Sequence, residues 1–208
     1  MKEGGIPKCT VSSAFLLFAA VLYFFDDSGL LSAIVPAAAI HELSHLLALR
    51  RMGASITRIS VSVTGFCMDY CGSLTETEEA FAALAGPLGG LVGALFCSAA
   101  GTMGDSPFWS CCAGVGVILS GFNLLPALPL DGGRALFYLV SEGRGTASAV
   151  RLLNALGIVV SSALLLAGFV LMLRGYGAAV AVAGFWILLL GVDRAPGKYN
   201  GKTGSFFS

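Results

Sequence analysis

Six runs of apolar residues, set apart by charged or Gly- and Pro-rich stretches, take up most of the chain: residues 10–25, 29–49, 80–101, 107–128, 150–173 and 177–192. A helix of about 17 to 25 apolar residues is long enough to cross the hydrocarbon core of a bilayer. Lipid offers no partner to a backbone N–H or C=O, so only helices or a closed barrel can span it, and runs this long and continuous select helices. The composition agrees, with 56% hydrophobic and 12% charged residues. The expected fold is an all-α polytopic membrane protein with about six transmembrane helices. The first run is the shortest, and Lys2 and Lys8 precede it as in a signal peptide. No small-x-small cleavage pattern follows before Asp26, so it is read as a span.

Twelve Lys and Arg balance twelve Asp and Glu, which gives no footing for nucleic-acid binding or a polyacidic partner. If the six spans alternate in direction, Lys2, Lys8, Arg50, Arg51, Arg58, Arg134, Arg144, Arg151, Arg194, Lys198 and Lys202 fall on one side, and only Arg174 on the other. The positive-inside rule then places both termini in the cytoplasm, with a bacterial cytoplasmic membrane as the expected location. Residues 1–193 read as one transmembrane domain without an internal repeat, and residues 194–208 as a flexible cytosolic tail.

Between the second and third runs, β-branched residues alternate from Ile56 to Val63 and a second run continues through Tyr70, which predicts a β-hairpin turning at Thr64-Gly65. Its open edge suits pairing with an extended substrate segment; a plain loop cap is the alternative. Glu76, Glu78 and Glu79 suit the N-terminus of the third helix, with Thr75 or Thr77 as its cap. Residues 131–149 are expected to connect the fourth and fifth spans through a short amphipathic piece, Ala135 to Val140. The six cysteines show no C-x-x-C pair and read as structural and reduced, with a bridge or second metal site at Cys67 and Cys71 as the alternative.

The second run contains His41-Glu42-Leu43-Ser44-His45, and these are the chain's two histidines. On a helix, positions i and i+4 share a face, so both imidazoles can serve one metal, with Glu42 placed to take a proton from water. The plainer alternative is two histidines lining a helix bundle, but ionisable groups at membrane depth are costly and usually functional. Catalytic zinc takes three protein ligands and leaves one position open. Asp131 is the strongest third candidate. It follows a helix break in Asn123-Leu124-Leu125-Pro126-Ala127-Leu128-Pro129-Leu130-Asp131-Gly132-Gly133, and the alternating topology puts it at the same membrane depth as the histidines; Asp26, Asp27 and Asp105 fall on the opposite side. Pro36 should kink the second helix, either to admit water or only for packing.

With these segments in view, the chain resembles the site-2 proteases, a family of intramembrane zinc metalloproteases. The likeness rests on His41 to His45, on Ala85-Gly86-Pro87 and on the N-x-x-P-x-x-P-L-D-G-G pattern of Asn123 to Gly133. It implies one Zn²⁺ per chain on His41, His45 and Asp131, with Glu42 as general base and then acid, and Asn123 holding the substrate backbone or the oxyanion. It also implies a membrane-associated protein as substrate and a regulatory membrane protein as a further partner. Without an inserted PDZ or terminal CBS domain, the chain resembles the compact sporulation enzyme that processes a pro-sigma factor more than the envelope-stress or sterol-pathway enzymes, so a pro-sigma factor or other regulatory protein is the expected substrate. It departs from the family at Gly90, where members often carry Asn; Gly86, Gly89, Gly90 and Gly93 instead form small-residue faces suited to close helix packing. Two rivals are an inactive membrane scaffold, which would need neither Glu42 nor the ligands, and a metal-ion transporter, which would need more polar stations than these spans offer.

Overall fold

The computed structural model describes residues 7–27, 29–62, 65–191 and 203–207. In chain order these form β1 (Lys8–Val11), α1 (Ser13–Phe24), α2 (Leu30–Arg51), β2 (Ser55–Ser62), β3 (Gly65–Cys71), α3 (Glu76–Gly104), α4 (Pro107–Asn123), α5 (Asp131–Arg144), α6 (Thr146–Leu173), α7 (Ala179–Gly191) and β4 (Thr203–Phe207). The protein is mostly helical. Among the described residues, α2, α3 and α6 are long and apolar enough to cross a membrane, at 22, 29 and 28 residues. The other three expected spans are shorter helices: α1 with 12 residues, α4 with 17 and α7 with 13. At a rise of about 1.5 Å per residue, α4 reaches roughly 25 Å, short of a hydrocarbon core of about 30 Å.

The contacts divide the chain into two compact units. One holds β1, α1, α2, β2, β3, α3 from Leu84 onward, α4 as far as Phe122, and β4. The other holds the first turns of α3, the segment from Asn123, and α5, α6 and α7.

In the first unit the Asp26 carboxylate accepts hydrogen bonds from the backbone N–H of Leu30 (3.1 Å) and Leu31 (2.7 Å), groups that α2 itself leaves without partners. Asp26 is thus a cap. At the other end Gly53, at φ 86°, takes the left-handed conformation that stops a helix, while Ala54 N–H donates back to the Leu49 carbonyl. The chain then enters β2. Strands β2 and β3 pair antiparallel as the alternation predicts, from Ser55↔Cys71 to Ser62↔Gly65. Of the expected turn, Thr64 lies outside the described residues and Gly65 opens β3.

The hairpin does not have the expected open edges. β1 pairs with β2 in parallel and β4 pairs with β3 antiparallel, giving a four-stranded sheet in the order β1-β2-β3-β4. Part of the expected flexible tail, Thr203–Phe207, is therefore a strand; residues 194–202 and 208 lie outside the described residues. All six cysteines are free. Cys67 and Cys71 stand four residues apart on one strand, roughly 13 Å, which rules out both a mutual bridge and a shared metal.

In the second unit, α3 opens with a capping box. Glu78 N–H donates to Thr75 Oγ1 (3.2 Å), and Thr75 N–H donates to the Glu78 carboxylate (2.8 Å). The segment after Asn123 departs from expectation twice. The fourth span ends at Asn123 instead of reaching residue 128, because Pro126 and Pro129 lack the N–H a helix needs and push the residues before them out of helical geometry. The connection that follows is a 14-residue helix, not a short piece; the poor helix propensity of Gly132 and Gly133 hides its start. Its Phe137 packs with Leu128 of the preceding loop against Ala149 and Leu153 of α6.

Candidate functional site

Helix α2 buries Ala33, Ala37, His41, His45 and Leu49, a single row with a spacing of four, and leaves Ile34, Val35, Leu43 and Leu47 exposed. A helix in water would turn these faces the other way. Here the two histidines face the protein and large apolar side chains face outward, as a lipid surrounding demands. His41 is 2% exposed and His45 0%. Their Nε2 atoms are 3.2 Å apart, with the rings near edge-on at 76°. Two nitrogens bound to one tetrahedral zinc at about 2.0–2.1 Å lie about 3.3 Å apart, so the pair has the spacing of two ligands on one metal. With suitable tautomers the same contact is a hydrogen bond, whose proton a metal replaces. Glu42 is half-buried beside them.

Against this row lies the glycine face of α3. A Cβ at Gly86 would strike His45 at Nε2, one at Gly89 would strike Ser44 Oγ, and one at Gly93 would come within 2.7 Å of Ile40 Cγ2. The glycines expected to serve helix packing do so, and they bring the α3 backbone onto the motif itself. Ser44 spends its hydroxyl on the Ile40 carbonyl at 2.7 Å. At Gly90 the neighbour is on α4: a Cβ there would strike Ser120 Oγ and lie 3.6 Å from His41 Nδ1. Ser120 is fully buried. Sequence reading passed over it, although it stands one turn before Asn123 on α4.

Asn123 and Asp131 belong to the second unit. Asn123, half-buried, ends α4. Two tight turns follow, in which Ala127 N–H donates to Leu125 O (2.8 Å) and Leu130 N–H to Ala127 O (2.9 Å), with the Leu128–Pro129 peptide cis. Leu130 is the extended N-cap of α5, and Asp131 is its first residue, 0% exposed. A Cβ at Gly132 would run into the carbonyl of Leu124, and one at Gly133 into Ala127. The Asp-Gly-Gly sequence thus lets the proline loop fold directly onto the first turn of α5 and fixes the aspartate. One turn on, Arg134 is 4% exposed, as is Glu79 in the first turn of α3. Burial pushes the Tyr138 phenol up, against the opposing pull of the Arg134 guanidinium.

His41 and His45 lie in the first unit and Asp131 in the second, and each is buried. Two imidazoles and a carboxylate form a donor set that zinc accepts.

Residues 75–168 match the model of Peptidase family M50. "Putative zinc metalloprotease Rip3" of Mycobacterium tuberculosis, in strains Erdman and H37Rv, is 32% identical over 193 residues, 84% of this chain and 46% of the relative. The chain therefore spans about half the length of the curated relatives it matches. The solved structure titled "Site-2 Protease from Methanocaldococcus jannaschii" superposes with a TM-score of 0.67 at 19% identity, over 94% of this chain and 97% of that one, which shows a common fold. Taken together, the matched family model and relative make this chain a member of peptidase family M50, the site-2 protease family of membrane zinc metalloproteases.

Proposed function

We propose that the protein is an intramembrane zinc endopeptidase that hydrolyses a peptide bond in or near a membrane segment of a membrane-associated protein. The observation that carries this reading is the buried His41–His45 pair, with Nε2 atoms 3.2 Å apart on an apolar helix and Glu42 alongside. His41, His45 and Asp131 would hold one zinc ion. When bound, zinc supplies Lewis-acid polarisation of the scissile carbonyl and makes water acidic enough to be deprotonated near neutral pH. The Glu42 carboxylate takes a proton from the attacking water. Oxygen bonds to the carbonyl carbon, the C–N bond breaks, and Glu42 returns the proton to the leaving nitrogen. The Asn123 amide, a two-proton donor, holds the substrate backbone or the carbonyl oxygen.

In this reading α1, α4 and α7 complete six membrane crossings with α2, α3 and α6, and both termini are cytoplasmic. Shortfalls in apolar length are taken up by local thinning of the bilayer and by flanking residues. A helical substrate hides its carbonyls in its own hydrogen bonds and must unwind before cleavage. A pro-sigma factor or another membrane-tethered regulatory protein is the substrate class to try first, with a membrane protein as regulator.

The test is co-expression of tagged single-span and membrane-associated candidates with wild type and with Glu42→Gln, read by fragment size. Fragments that need Glu42 are the expected result. Equal cleavage by Glu42→Gln would remove that residue from the chemistry and with it the mechanism.

A further inference from the structure

The two histidines turn their Nε2 atoms toward each other. The Nδ1 atom of His41 therefore points away from the meeting of the two Nε2 atoms, and a metal-bound imidazole needs an acceptor at that second nitrogen to fix its tautomer and orientation. The position of that atom is marked by Gly90: a Cβ built there lies 3.6 Å from His41 Nδ1 and collides with Ser120 Oγ. The hydroxyl and the ring nitrogen thus border the same small space, which exists because residue 90 has no side chain. Ser120 is 0% exposed, and its Oγ makes no hydrogen bond. A serine in an apolar helix ordinarily turns its hydroxyl back to the carbonyl four residues earlier, as Ser44 does to Ile40 and Ser161 to Gly157. Ser120 does not. A buried hydroxyl without a partner is costly unless something at the site uses it.

We propose that Ser120 is a positioning residue for His41. One water in the space over Gly90 accepts the Nδ1 hydrogen of His41 and donates to the Ser120 hydroxyl, and so holds Nε2 on the metal. The inference rests on the zinc reading above. It gives Gly90 a role besides packing: the glycine keeps the channel between hydroxyl and ring clear.

The test measures metal retention, independently of proteolysis, in the full chain purified in detergent. Zinc per chain is titrated against a competing chelator for wild type, Ser120→Ala, Gly90→Ala and His41→Ala, and the visible spectrum of the cobalt-substituted form is recorded for each. Ser120→Ala should weaken zinc binding by about 10- to 100-fold and alter the cobalt spectrum. Its metal-free melting temperature should hold or rise, since an unpartnered hydroxyl has been removed. Gly90→Ala, which intrudes on the same space from the opposite side, should weaken zinc in the same direction. Zinc retention within twofold of wild type in folded Ser120→Ala overturns the proposal and leaves serine as packing. Should Ser120→Ala not fold, unchanged retention in Gly90→Ala overturns it equally. If wild type itself holds no more zinc than His41→Ala, the zinc reading fails, an outcome distinct from either of these.

Discussion

At Gly86 a single added carbon reaches the histidine pair. The methyl group of Gly86→Ala would sit against His45 Nε2, the atom offered to the metal. Ala is a better helix former than Gly, so α3 itself should tolerate the change. The expected outcome is loss of zinc with helical content retained, measured by metal analysis alongside circular dichroism. Asp131→Asn should also empty the site, because an amide is a far poorer zinc ligand than a carboxylate, while keeping the shape that fits beneath the proline loop. Glu42→Gln behaves oppositely: zinc stays at wild-type occupancy while turnover falls by about 10² to 10⁴ or more, the range expected for removing a general base. Measuring occupancy and turnover on the same preparations separates ligand from base. The His-x-x-x-His spacing made the two histidines legible in the sequence, since a helix period decides it. Ser120 was not legible, because a lone serine in an apolar run carries no spacing signal and its meaning depends on a glycine thirty positions away.

At the scale of elements, local rules served well wherever neighbouring residues set the outcome. The Thr75–Glu78 box starts α3 as the threonine and glutamates suggest, and Thr75→Ala should cost about 1 kcal/mol, read as a lower unfolding midpoint. Thr75→Ser, which keeps the hydroxyl, should not. The reading was weakest where a distant partner decides. β1 and β4 are short and gain strand geometry only by pairing with β2 and β3, so neither carries enough alternation to declare itself. Helix α5 was foreshortened for another reason: Gly132 and Gly133 argue locally against a helix, yet both are required for the proline loop to close over its first turn. Replacing Gly133 by Ala should therefore destabilise the second unit despite the gain in helix propensity, as thermal unfolding would reveal.

Over the whole molecule, a reporter fused after Gly145 and one fused after Gly175 flank α6 and should read opposite sides of the membrane, the first cytoplasmic. Agreement of both on one side would break the alternating topology. The sheet has a further consequence for how such an enzyme meets its substrates. An extended segment that adds to β3 must first evict Thr203–Phe207, a rival joined to the same polypeptide. A tethered rival acts at an effective concentration on the order of millimolar. A dilute soluble peptide loses that contest by mass action, whereas a protein confined to the same two-dimensional layer is itself concentrated there and can win it. If the proposed endopeptidase takes its substrate along β3, residency in the bilayer would select substrates before any side chain of theirs is read.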